Sequence, residues 1–445
     1  MMYQEALDWL YSFIDYGVKR SYRYSPEVFD LSRVTRLLAE LENPQDRFPT
    51  IHIAGTKGKG STAAMIESCL RSASYTTGLY SSPHLIDFTE RMRINGEQIS
   101  ESDLVGLVER LQPHVDAVPE ISTYELTTTL AFMYFADRPV DCAVIEVGLG
   151  GRLDATNVIH PLVTVITSLS YDHTHLLGDS LSDIAAEKAG IIKAETPVVL
   201  APQQLEADLV VRAVAEERNA PVVQVNRDWH YAARSRSLEG QAFQVWREGE
   251  EDSQVDLSIP LLGHHQVQNG AVAYVSVHTA SELGLPTEIR HIQQGLASTE
   301  WPGRFQILHH DPDIVLDSAH NRDSALKLRI ALDDYFPGRP VTMVFGASSD
   351  KDVRGMFLEL APRISRVILT QAKHPRSEDP EALARLARAF GFEAEVVVPV
   401  AAALQRATEE AESDQVVLAT GSLFVVGSAL AAWDLQQQSF MAYEV

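Results

Sequence analysis

Short apolar runs alternate along the chain with longer segments in which apolar residues recur every three or four positions. Helical spacing of this kind predicts amphipathic helices, and short apolar runs bounded by turn residues predict buried strands. In the first half of the chain, the predicted helices are 3–16, 28–42, 61–73, 101–111, 125–136 and 181–193, with a loop at 22–26. The predicted strands are 50–54, 78–84 (running into a loop), 141–147, 162–168 and 197–200. Such alternation predicts a largely parallel sheet covered by helices.

The pattern changes at residues 226–260, where charged and apolar positions alternate and predict an antiparallel insertion. Helices are predicted at 264–283 and 288–297, and Trp301-Pro302-Gly303-Arg304 then breaks the helical pattern. After this break, strands are again predicted, at 313–317, 341–346, 366–370, 394–398 and 415–419. We therefore predict two α/β domains, residues 1–298 and a smaller one of residues 299–445.

Composition narrows the classes of partner. The formal net charge of -24 over 445 residues disfavours nucleic acid or an anionic membrane as a partner, although a local basic pocket for a small anion stays open. Cys69 and Cys142 each lie in an apolar segment, which favours small core residues over a disulfide or metal pair. Because the chain shows neither a signal peptide nor a membrane-length apolar run, we expect a cytoplasmic protein.

A glycine-rich turn, Gly55-Thr56-Lys57-Gly58-Lys59-Gly60, joins the strand at 50–54 to the helix that follows. Glycines let the backbone approach a ligand, and the following helix directs its positive end at the same point. The pair Gly58-Lys59 fits the pattern G-x-x-x-x-G-K-[ST], but Ile53 replaces its first glycine and Gly60 its hydroxyl residue. An ordinary strand-to-helix turn is the alternative, and the flanking elements favour phosphate binding.

Polar residues follow two further predicted strands, where a parallel sheet places its ligands. Glu146 could hold Mg²⁺ against nucleotide phosphates or cap a neighbouring helix. His173, after Asp172, could be a metal ligand, a general base or a structural histidine.

Three more residues carry two interpretations each. Lys188 lies on an amphipathic helix and by itself is most simply a solvated lysine. Asp317, at the end of the first strand of the second domain, could bind ribose or phosphate or cap the next helix. Arg304 could bind a phosphate or be a surface arginine.

Taken together, these segments resemble the folylpolyglutamate synthase/dihydrofolate synthase family of the Mur ligase superfamily over nearly the whole chain. The resemblance rests on eight motifs, namely 55–62 (GTKGKGST), 81–85 (SSPHL) with Glu90-Arg91, 146–157 (EVGLGGRLDATN), 172–174 (DHT), 187–191 (EKAGI), 302–304 (PGR), 317–321 (DSAHN) and 420–423 (TGSL). It implies a P-loop NTPase-like parallel-sheet N-terminal domain and a Rossmann-like C-terminal domain. Three positions depart from the family pattern: Lys57 stands where asparagine is common, Ser318 replaces Gly or Val, and Gly270 replaces Ala.

The resemblance also implies roles for individual residues. Those matching its ATP contacts are Lys57, Gly58, Lys59, Gly60, Ser61, Asn269, Arg304, Asp317 and His320. Those matching its magnesium ligands are Ser82, Glu146, His173 and Lys188, the last as a carbamate that binds a second Mg²⁺. A carbamate requires a neutral amine, so the pKa of Lys188 must fall below its usual ~10.4. Those matching the contacts to a pterin-benzoate substrate are Phe29, Asp30, Ser122, Thr123, Tyr124, Glu125, Leu153, Asp154 and Ala155.

The activity implied by the resemblance is ATP-dependent amide formation. The γ-phosphoryl group of ATP would pass to a carboxylate of 7,8-dihydropteroate or a folate, and the amine of L-glutamate would attack the acyl phosphate. Lys59, Lys188 and His173 are the candidate catalytic residues. We expect a monomer whose only partners are these small molecules. Two alternatives stay open: a Mur-type ligase acting on another acid, and a P-loop switch ATPase that needs no glutamate.

Overall fold

The structure, a computed structural model, describes residues 1–14 and 29–443. The loop predicted at 22–26 lies outside these ranges. The helices are α1 Tyr3–Tyr11, α2 Leu31–Glu40, α3 Lys59–Ser72, α4 Glu101–Val115, α5 Thr123–Asp137, α6 Thr174–Leu177, α7 Leu181–Ala189, α8 Leu205–Glu217, α9 His264–Ser281, α10 Ile289–Ala297, α11 Arg322–Tyr335, α12 Val353–Leu360, α13 Pro380–Ala389, α14 Val400–Glu410 and α15 Leu423–Tyr443. Short 3₁₀ helices occur at Pro44–Asp46, Phe88–Arg91 and Ala155–Val158.

The strands form three sheets. They are β1 Thr50–Ala54, β2 Thr77–Tyr80, β3 Met92–Ile94, β4 Glu97–Gln98, β5 Cys142–Glu146, β6 Val163–Ile166, β7 Val198–Leu200, β8 Val222–Gln224, β9 Trp229–Ser237, β10 Gly240–Arg247, β11 Val255–Ile259, β12 Gln306–His309, β13 Asp313–Leu316, β14 Val341–Phe345, β15 Ile364–Leu369, β16 Glu393–Val396 and β17 Val416–Thr420.

The largest sheet has the order β4-β3-β2-β5-β1-β6-β7-β8. The strands β2, β5, β1, β6, β7 and β8 are parallel to one another, whereas β3 and β4 pair antiparallel at one edge. The fully buried β1 lies between β5 and β6, with Ile53 opposite Glu146 on one side and Val165 on the other. Because these strands run in the same direction, the loops that follow β1, β5 and β6 emerge at one edge. The fold thereby brings the glycine-rich turn, Glu146 and His173 to the same side of the sheet.

An apolar layer covers each face of this sheet. One layer contains α3, α9 and the antiparallel sheet β11-β10-β9, which confirms the predicted insertion. The other contains α1, α2, α4 and α5. Cys69 and Cys142 are both buried and free, as predicted, in the first of these layers.

Two helix boundaries differ from those predicted from the spacing of apolar residues, because capping and tertiary contacts fix them. The helix predicted at 3–16 ends at Tyr11, because Ile14 instead accepts a hydrogen bond from Thr123 N at 3.0 Å. The helix predicted from residue 125 begins at Thr123, because the Ser122 hydroxyl accepts a bond from Glu125 N at 3.2 Å. Such side-chain caps satisfy backbone groups that a helix end leaves free.

The second sheet has the order β12-β13-β17-β14-β15-β16 and is parallel except for β12. This arrangement, with helices on both faces, confirms the predicted smaller α/β domain. Strand β12 was not predicted, nor were β3, β4 and β8, which are short and only partly buried or exposed. Such strands carry little apolar periodicity. The boundary at residues 298–299 stays a prediction.

The second domain packs closely on the loop that follows β2. At Gly427 of α15, a Cβ atom would lie 2.0 Å from the carbonyl oxygen of Leu85, so only glycine permits this approach. The loop that contains Ser82 is therefore anchored to the second domain at Leu85. Among the residues that the structure describes, no helix has both the length and the apolar character needed to cross a bilayer.

Candidate active site

The glycine-rich turn has the backbone geometry of an anion-binding loop. Gly58 precedes the first turn of α3 with a positive φ of 86°, and the helix begins at Lys59, two residues before the predicted start. The N–H groups of Thr56 and Lys57 donate to the carbonyl of Ser168 at 3.0 and 3.1 Å, which ties the turn to the end of β6. The first N–H groups of a helix have no partner within it and attract anions.

Gly58→Ala is expected to weaken nucleotide binding by roughly tenfold or more, since left-handed backbone costs a non-glycine residue ~1–2 kcal/mol. In addition, a Cβ atom would lie 2.4 Å from Asn269 Oδ1. Calorimetric titration with ADP measures the effect. Gly249→Ala is the matched control, because Gly249 has a φ of 80° but open space around its Cβ position. Equal ADP affinity in the two variants would contradict the role of this turn.

Asn269 is held against the turn by a short polar chain. Its Nδ2 donates to Gln266 Oε1 at 2.9 Å, and Gln266 Nε2 donates to the hydroxyl of Ser61 at 3.4 Å. Both side chains are buried on α9. Sequence reasoning missed Gln266, although its spacing of three residues from Asn269 puts the two on one helical face.

Glu146 and Ser82 come together beside Lys59. The backbone N–H of Ser82 donates to Glu146 Oε2 at 3.4 Å, and Glu146 is 5% exposed. Burial raises the pKa of the Glu146 carboxyl, while the positive charges of Lys59 and Arg304 act in the opposite direction. Arg304 belongs to the second domain, so this carboxylate lies within electrostatic reach of cations from both domains.

Lys188 is buried at the last turn of α7, next to the other predicted site residues. Arg152 N donates to the carbonyl of Glu187 at 2.8 Å, which packs this helix on the loop after β5. Burial lowers the pKa of Lys188 to about 7, and the positive charges of Lys59 and Lys57 add to this shift. The amine of this lysine is therefore neutral in a large fraction of molecules near pH 7, as a carbamate would require.

His173 follows β6 with a left-handed backbone, at a φ of 49°. Partial burial lowers the pKa of its imidazole to about 4, Lys188 and Lys59 contribute in the same direction, and Asp172 opposes them. A neutral imidazole is the form that binds a metal. The charges of Lys188 and Lys59 reach the imidazole of His173, so these three sequence-predicted residues lie near one another.

The second domain contributes Asp317 and His320. Asp317 accepts hydrogen bonds from Phe305 N and Ala319 N, each at 2.9 Å, and burial raises the pKa of its carboxyl to about 6. His320 Nδ1 lies 2.9 Å from the carbonyl of Ser318, so this nitrogen carries the proton and Nε2 can accept. Burial lowers the pKa of His320 to about 3, and the positive charge of the nearby Lys57, in the glycine-rich turn, acts in the same direction.

The predicted substrate residues form three neighbouring segments, but several of their polar atoms bond within the protein. Asp30 caps α2 through Ser32 N at 2.8 Å, and α2 contacts the turn Ala155–Val158. Glu125 accepts from Ser122 through Oε2 and from Arg33 Nε at 3.1 Å through Oε1. The carboxylate of Glu125 thus helps to build the fold, which the sequence did not indicate.

The remaining members of this set surround the loop that follows β5. Asp154 accepts bonds from Gly148 N and Leu149 N at 3.0 and 2.9 Å, and Tyr124 Oη donates to it at 3.3 Å. At Gly148, a Cβ atom would lie 2.5 Å from Tyr124 Oη. Three other predicted residues are placed without a resolved role, namely Phe29 and Leu153, which are partly buried, and Thr123, whose hydroxyl donates to the carbonyl of Leu10 at 2.9 Å.

Sequence reasoning gave no role to Trp301, Asp172 or Asn321. A Cβ atom at Gly60 would lie 2.9 Å from Trp301 Cζ2, so the indole covers the start of α3. Asp172 accepts from Lys57 Nζ at 2.8 Å and from Asn321 Nδ2 at 3.3 Å. Asp172 and Asn321 belong to the motifs 172–174 and 317–321, which could have indicated them. Trp301, next to Pro302, indicated only that the helical pattern ends there.

Ser82 and Glu146 fit Mg²⁺, since carboxylate and hydroxyl oxygens are ligands that this ion accepts. In the part of the chain that the structure describes, no group of three or more His, Cys, Asp or Glu side chains could hold a metal ion. The predicted set is of a different kind, because it combines one hydroxyl, one carboxylate, one imidazole and one lysine. Its carboxylate, Glu146, is buried beside cations, an environment that suits bound phosphates and metal together.

Comparison with known proteins agrees with this geometry. Residues 53–277 match the Mur ligase middle domain, and residues 303–423 match the Mur ligase glutamate ligase domain. A dihydrofolate synthase/folylpolyglutamate synthase from Bacillus subtilis is 36% identical over 386 residues, which cover 84% of this chain and 86% of that protein.

Two solved structures are also similar. Folylpolyglutamate synthase of Mycobacterium tuberculosis, complexed with ADP and AMPPCP, has a TM-score of 0.83 and 33% identity, with coverage of 91% of this chain and 95% of that one. Escherichia coli FolC in complex with DHPP and ADP has a TM-score of 0.85 and 29% identity, with coverage of 98% and 99%.

The two matched domains, the first of which contains the glycine-rich turn, define the class of the Mur ligases. Within that class, the chain belongs to the folylpolyglutamate synthase/dihydrofolate synthase family.

Proposed function

We propose that this protein is an ATP-dependent ligase that joins L-glutamate to 7,8-dihydropteroate and to the γ-carboxylate of folates. One observation carries the proposal: the cations Lys59 and Arg304, from different domains, both act on the buried carboxylate Glu146. Transfer of a phosphoryl group needs such preorganised charge around the phosphates. The relatives' names and the ADP, AMPPCP and DHPP bound in similar structures support the substrates.

ATP would lie across the phosphate loop between the domains. Its phosphates would receive N–H groups from the first turn of α3 and the ammonium of Lys59. The other proposed nucleotide contacts are Lys57, Gly58, Gly60, Ser61, Asn269, Arg304, Asp317 and His320. Partial burial and shifted pKa values support a role for Asp317 and His320 near the nucleotide.

Two magnesium ions are part of the proposal. Ser82, Glu146 and His173 would hold one, and Lys188, as a carbamate, would help to hold the second. When bound, the ions would neutralise charge on the transferring phosphoryl group. The depressed pKa of Lys188, at about 7, supports the carbamate because the free amine must attack CO₂.

In the proposed reaction, a substrate carboxylate oxygen attacks the γ-phosphorus of ATP, and ADP leaves. Lys59 and Arg304 offset the negative charge on the phosphoryl oxygens. The amine of L-glutamate then attacks the acyl carbon and loses a proton, and inorganic phosphate leaves as the amide forms. An acyl phosphate hydrolyses easily, so the domains must close over it to exclude water.

The pterin-benzoate substrate would lie along the three neighbouring segments around Phe29, Ser122–Glu125 and Leu153–Ala155. Tyr124 is the member best suited to face a flat ring, since its aromatic body is partly accessible while its hydroxyl bonds to Asp154. Glu125 and Asp154 would act by fixing these segments, because their oxygens already accept bonds within the protein.

The reaction is tested with purified protein, 7,8-dihydropteroate, L-glutamate, ATP and Mg²⁺, followed by mass spectrometry of the product. A glutamyl adduct together with ADP is the expected result. Turnover of ATP that does not depend on glutamate would instead favour a switch ATPase. An adduct with a different carboxylic acid only would favour another Mur-type ligase.

Ligation is expected to rise with pH through about 7, at a fixed concentration of dissolved CO₂. The pKa of Lys188 is lowered to about 7, so the amine is protonated below this value and neutral above it. Carbamylation therefore falls as the pH drops through 7. Initial rates measured on both sides of pH 7, without added bicarbonate and with bicarbonate adjusted at each pH to hold dissolved CO₂ constant, measure this. A rate that ignores bicarbonate at every pH would contradict the carbamate.

The proposal also includes the division into domains, the oligomeric state and the cellular location. We propose domains of residues 1–298 and 299–445, a monomeric state and a cytoplasmic location. The separate sheets on either side of the break at Trp301 support the division into two domains. Limited proteolysis and light scattering test the first two.

A further inference from the structure

Asp172 lies where three parts of the molecule meet. Its Oδ2 accepts hydrogen bonds from Lys57 Nζ at 2.8 Å and from Asn321 Nδ2 at 3.3 Å. Its Oδ1 accepts a bond from the backbone N–H of His173 at 3.0 Å. Lys57 belongs to the phosphate loop, whereas Asn321 directly precedes α11 in the second domain. One carboxylate therefore bonds to both domains at the point where they face each other.

The direction of the bond between the domains is fixed by the cap of α11. Asn321 Oδ1 accepts from Ser324 N at 3.0 Å. A backbone N–H can only donate, so the oxygen of the amide must face the helix and the NH₂ group must face Asp172. Asn321 is thus a donor to the first domain and cannot exchange this role without losing its cap.

The Lys57–Asp172 pair is largely removed from solvent. Only 16% and 17% of the two side chains are exposed, respectively. The backbone of Lys57 is also fixed, because its N–H donates to the carbonyl of Ser168 at 3.1 Å. Any exchange of the ammonium group between Asp172 and an anion in the loop must therefore come from rotation of the Lys57 side chain. Loss of one member of such a pair leaves an uncompensated charge in the interface.

We propose that Asp172 is a positioning residue that couples occupation of the phosphate loop to closure of the second domain. When phosphates attract the ammonium of Lys57, the Asp172 carboxylate loses part of its partner and accepts more strongly from Asn321. Closure and nucleotide binding then favour each other, and the coupling must be reciprocal. This inference rests on the proposed nucleotide site and does not depend on which acid is ligated.

Asn321→Asp removes the hydrogen bond between the domains but keeps the cap of α11. Aspartate caps a helix as well as asparagine does, but it replaces the donor by a carboxylate that faces Asp172. We expect ADP affinity to fall roughly 5- to 50-fold, within the usual range of coupling between sites. We also expect a longer distance between fluorophores placed on the two domains in the presence of ADP. Asp352→Asn is the matched control, since Asp352 caps α12 through Gly355 N at 2.8 Å.

The double variant Asp172→Asn with Asn321→Asp exchanges donor and acceptor. It restores a hydrogen bond between the domains and leaves one carboxylate beside Lys57. We expect it to bind ADP more tightly than either single variant and to recover the shorter distance between domains. A merely structural bond would change the distance between the domains equally with and without ADP, whereas coupling requires that the loss and the rescue depend on ADP.

Two results would overturn the inference. One is that Asn321→Asp binds ADP as tightly as the unaltered protein does. The other is that the double variant binds ADP no more tightly than the single variants do. Melting temperatures without ADP show whether each variant is folded. Because the readouts are ADP binding and distance, they are independent of ligation. An unaltered protein that couples ADP to closure but makes no glutamyl product would overturn the proposed function alone.

Discussion

Lys188→Ala is expected to reduce the rate of ligation by roughly 10²–10³-fold, the range seen when one electrostatic contact to transition-state charge is lost. The amine of Lys188 is buried, and its pKa of about 7 reflects that burial together with the nearby Lys59. Substitution removes the group that would become a carbamate. It also removes a poorly solvated cation, so the fold should survive with its melting temperature little changed.

Lys193→Ala is the matched control for this variant. Lys193 is also partly buried, with a pKa lowered to about 8 by burial and by Arg218, and its Nζ donates to the carbonyl of Asn157 at 2.8 Å. We expect it to lose some stability and to keep ligation. Steady-state rates and thermal melts of both variants separate the two effects. Ligation by Lys188→Ala at the unaltered rate would refute the role proposed for this lysine.

Arg304→Ala is expected to reduce kcat by roughly 10³-fold, since an arginine supplied to a phosphoryl group from a second element contributes 10³–10⁵ in known cases. Arg304 is in the second domain, yet its charge acts on Glu146 of the first domain as well as on Asp317. Removal should therefore lower phosphoryl transfer more than it lowers ADP binding. Single-turnover formation of ADP, measured beside equilibrium ADP binding, distinguishes these steps.

Two variants serve as controls. Arg304→Lys retains a charge without the planar fork and should recover only part of the rate. Arg322→Ala removes an arginine of the same domain, 62% exposed and bonded to Glu359 at 2.9 Å, and should leave kcat unchanged. A kcat equally affected in Arg304→Ala and Arg322→Ala would argue against a specific contact by Arg304.

The strands and the glycine-rich turn were predictable because their signals are local. The short segment Thr50–Ala54, in which Ile51, Ile53 and Ala54 are apolar, is followed by Gly55 and Gly58, which mark its end; β1 has the predicted bounds. Helix starts were less predictable, since caps such as Ser122 satisfy N–H groups that spacing does not register. Strand β12 was missed because it pairs only along one edge and is partly exposed.

The environment of some site residues could not be predicted from each residue and its neighbours in the sequence. Lys188 by itself resembles a solvated helix lysine, and only the packing of α7 on the loop after β5 shows that it is buried. Glu125 seemed available to a ligand, but Arg33, distant in sequence, occupies one of its oxygens. The roles predicted for the site residues stay predictions, although the structure brings Ser82 and Glu146 into contact.

Neighbouring residues were enough to predict the alternation of strands and helices and the glycine-rich turn, and motifs in order were enough to identify the family. Which side chains share an environment follows only from the folded structure. The shifted pKa of Lys188 and the joining of Lys57 to Asn321 through Asp172 arise from burial and from contacts between segments far apart in the chain. Burial and charge act through space, so no local pattern records them.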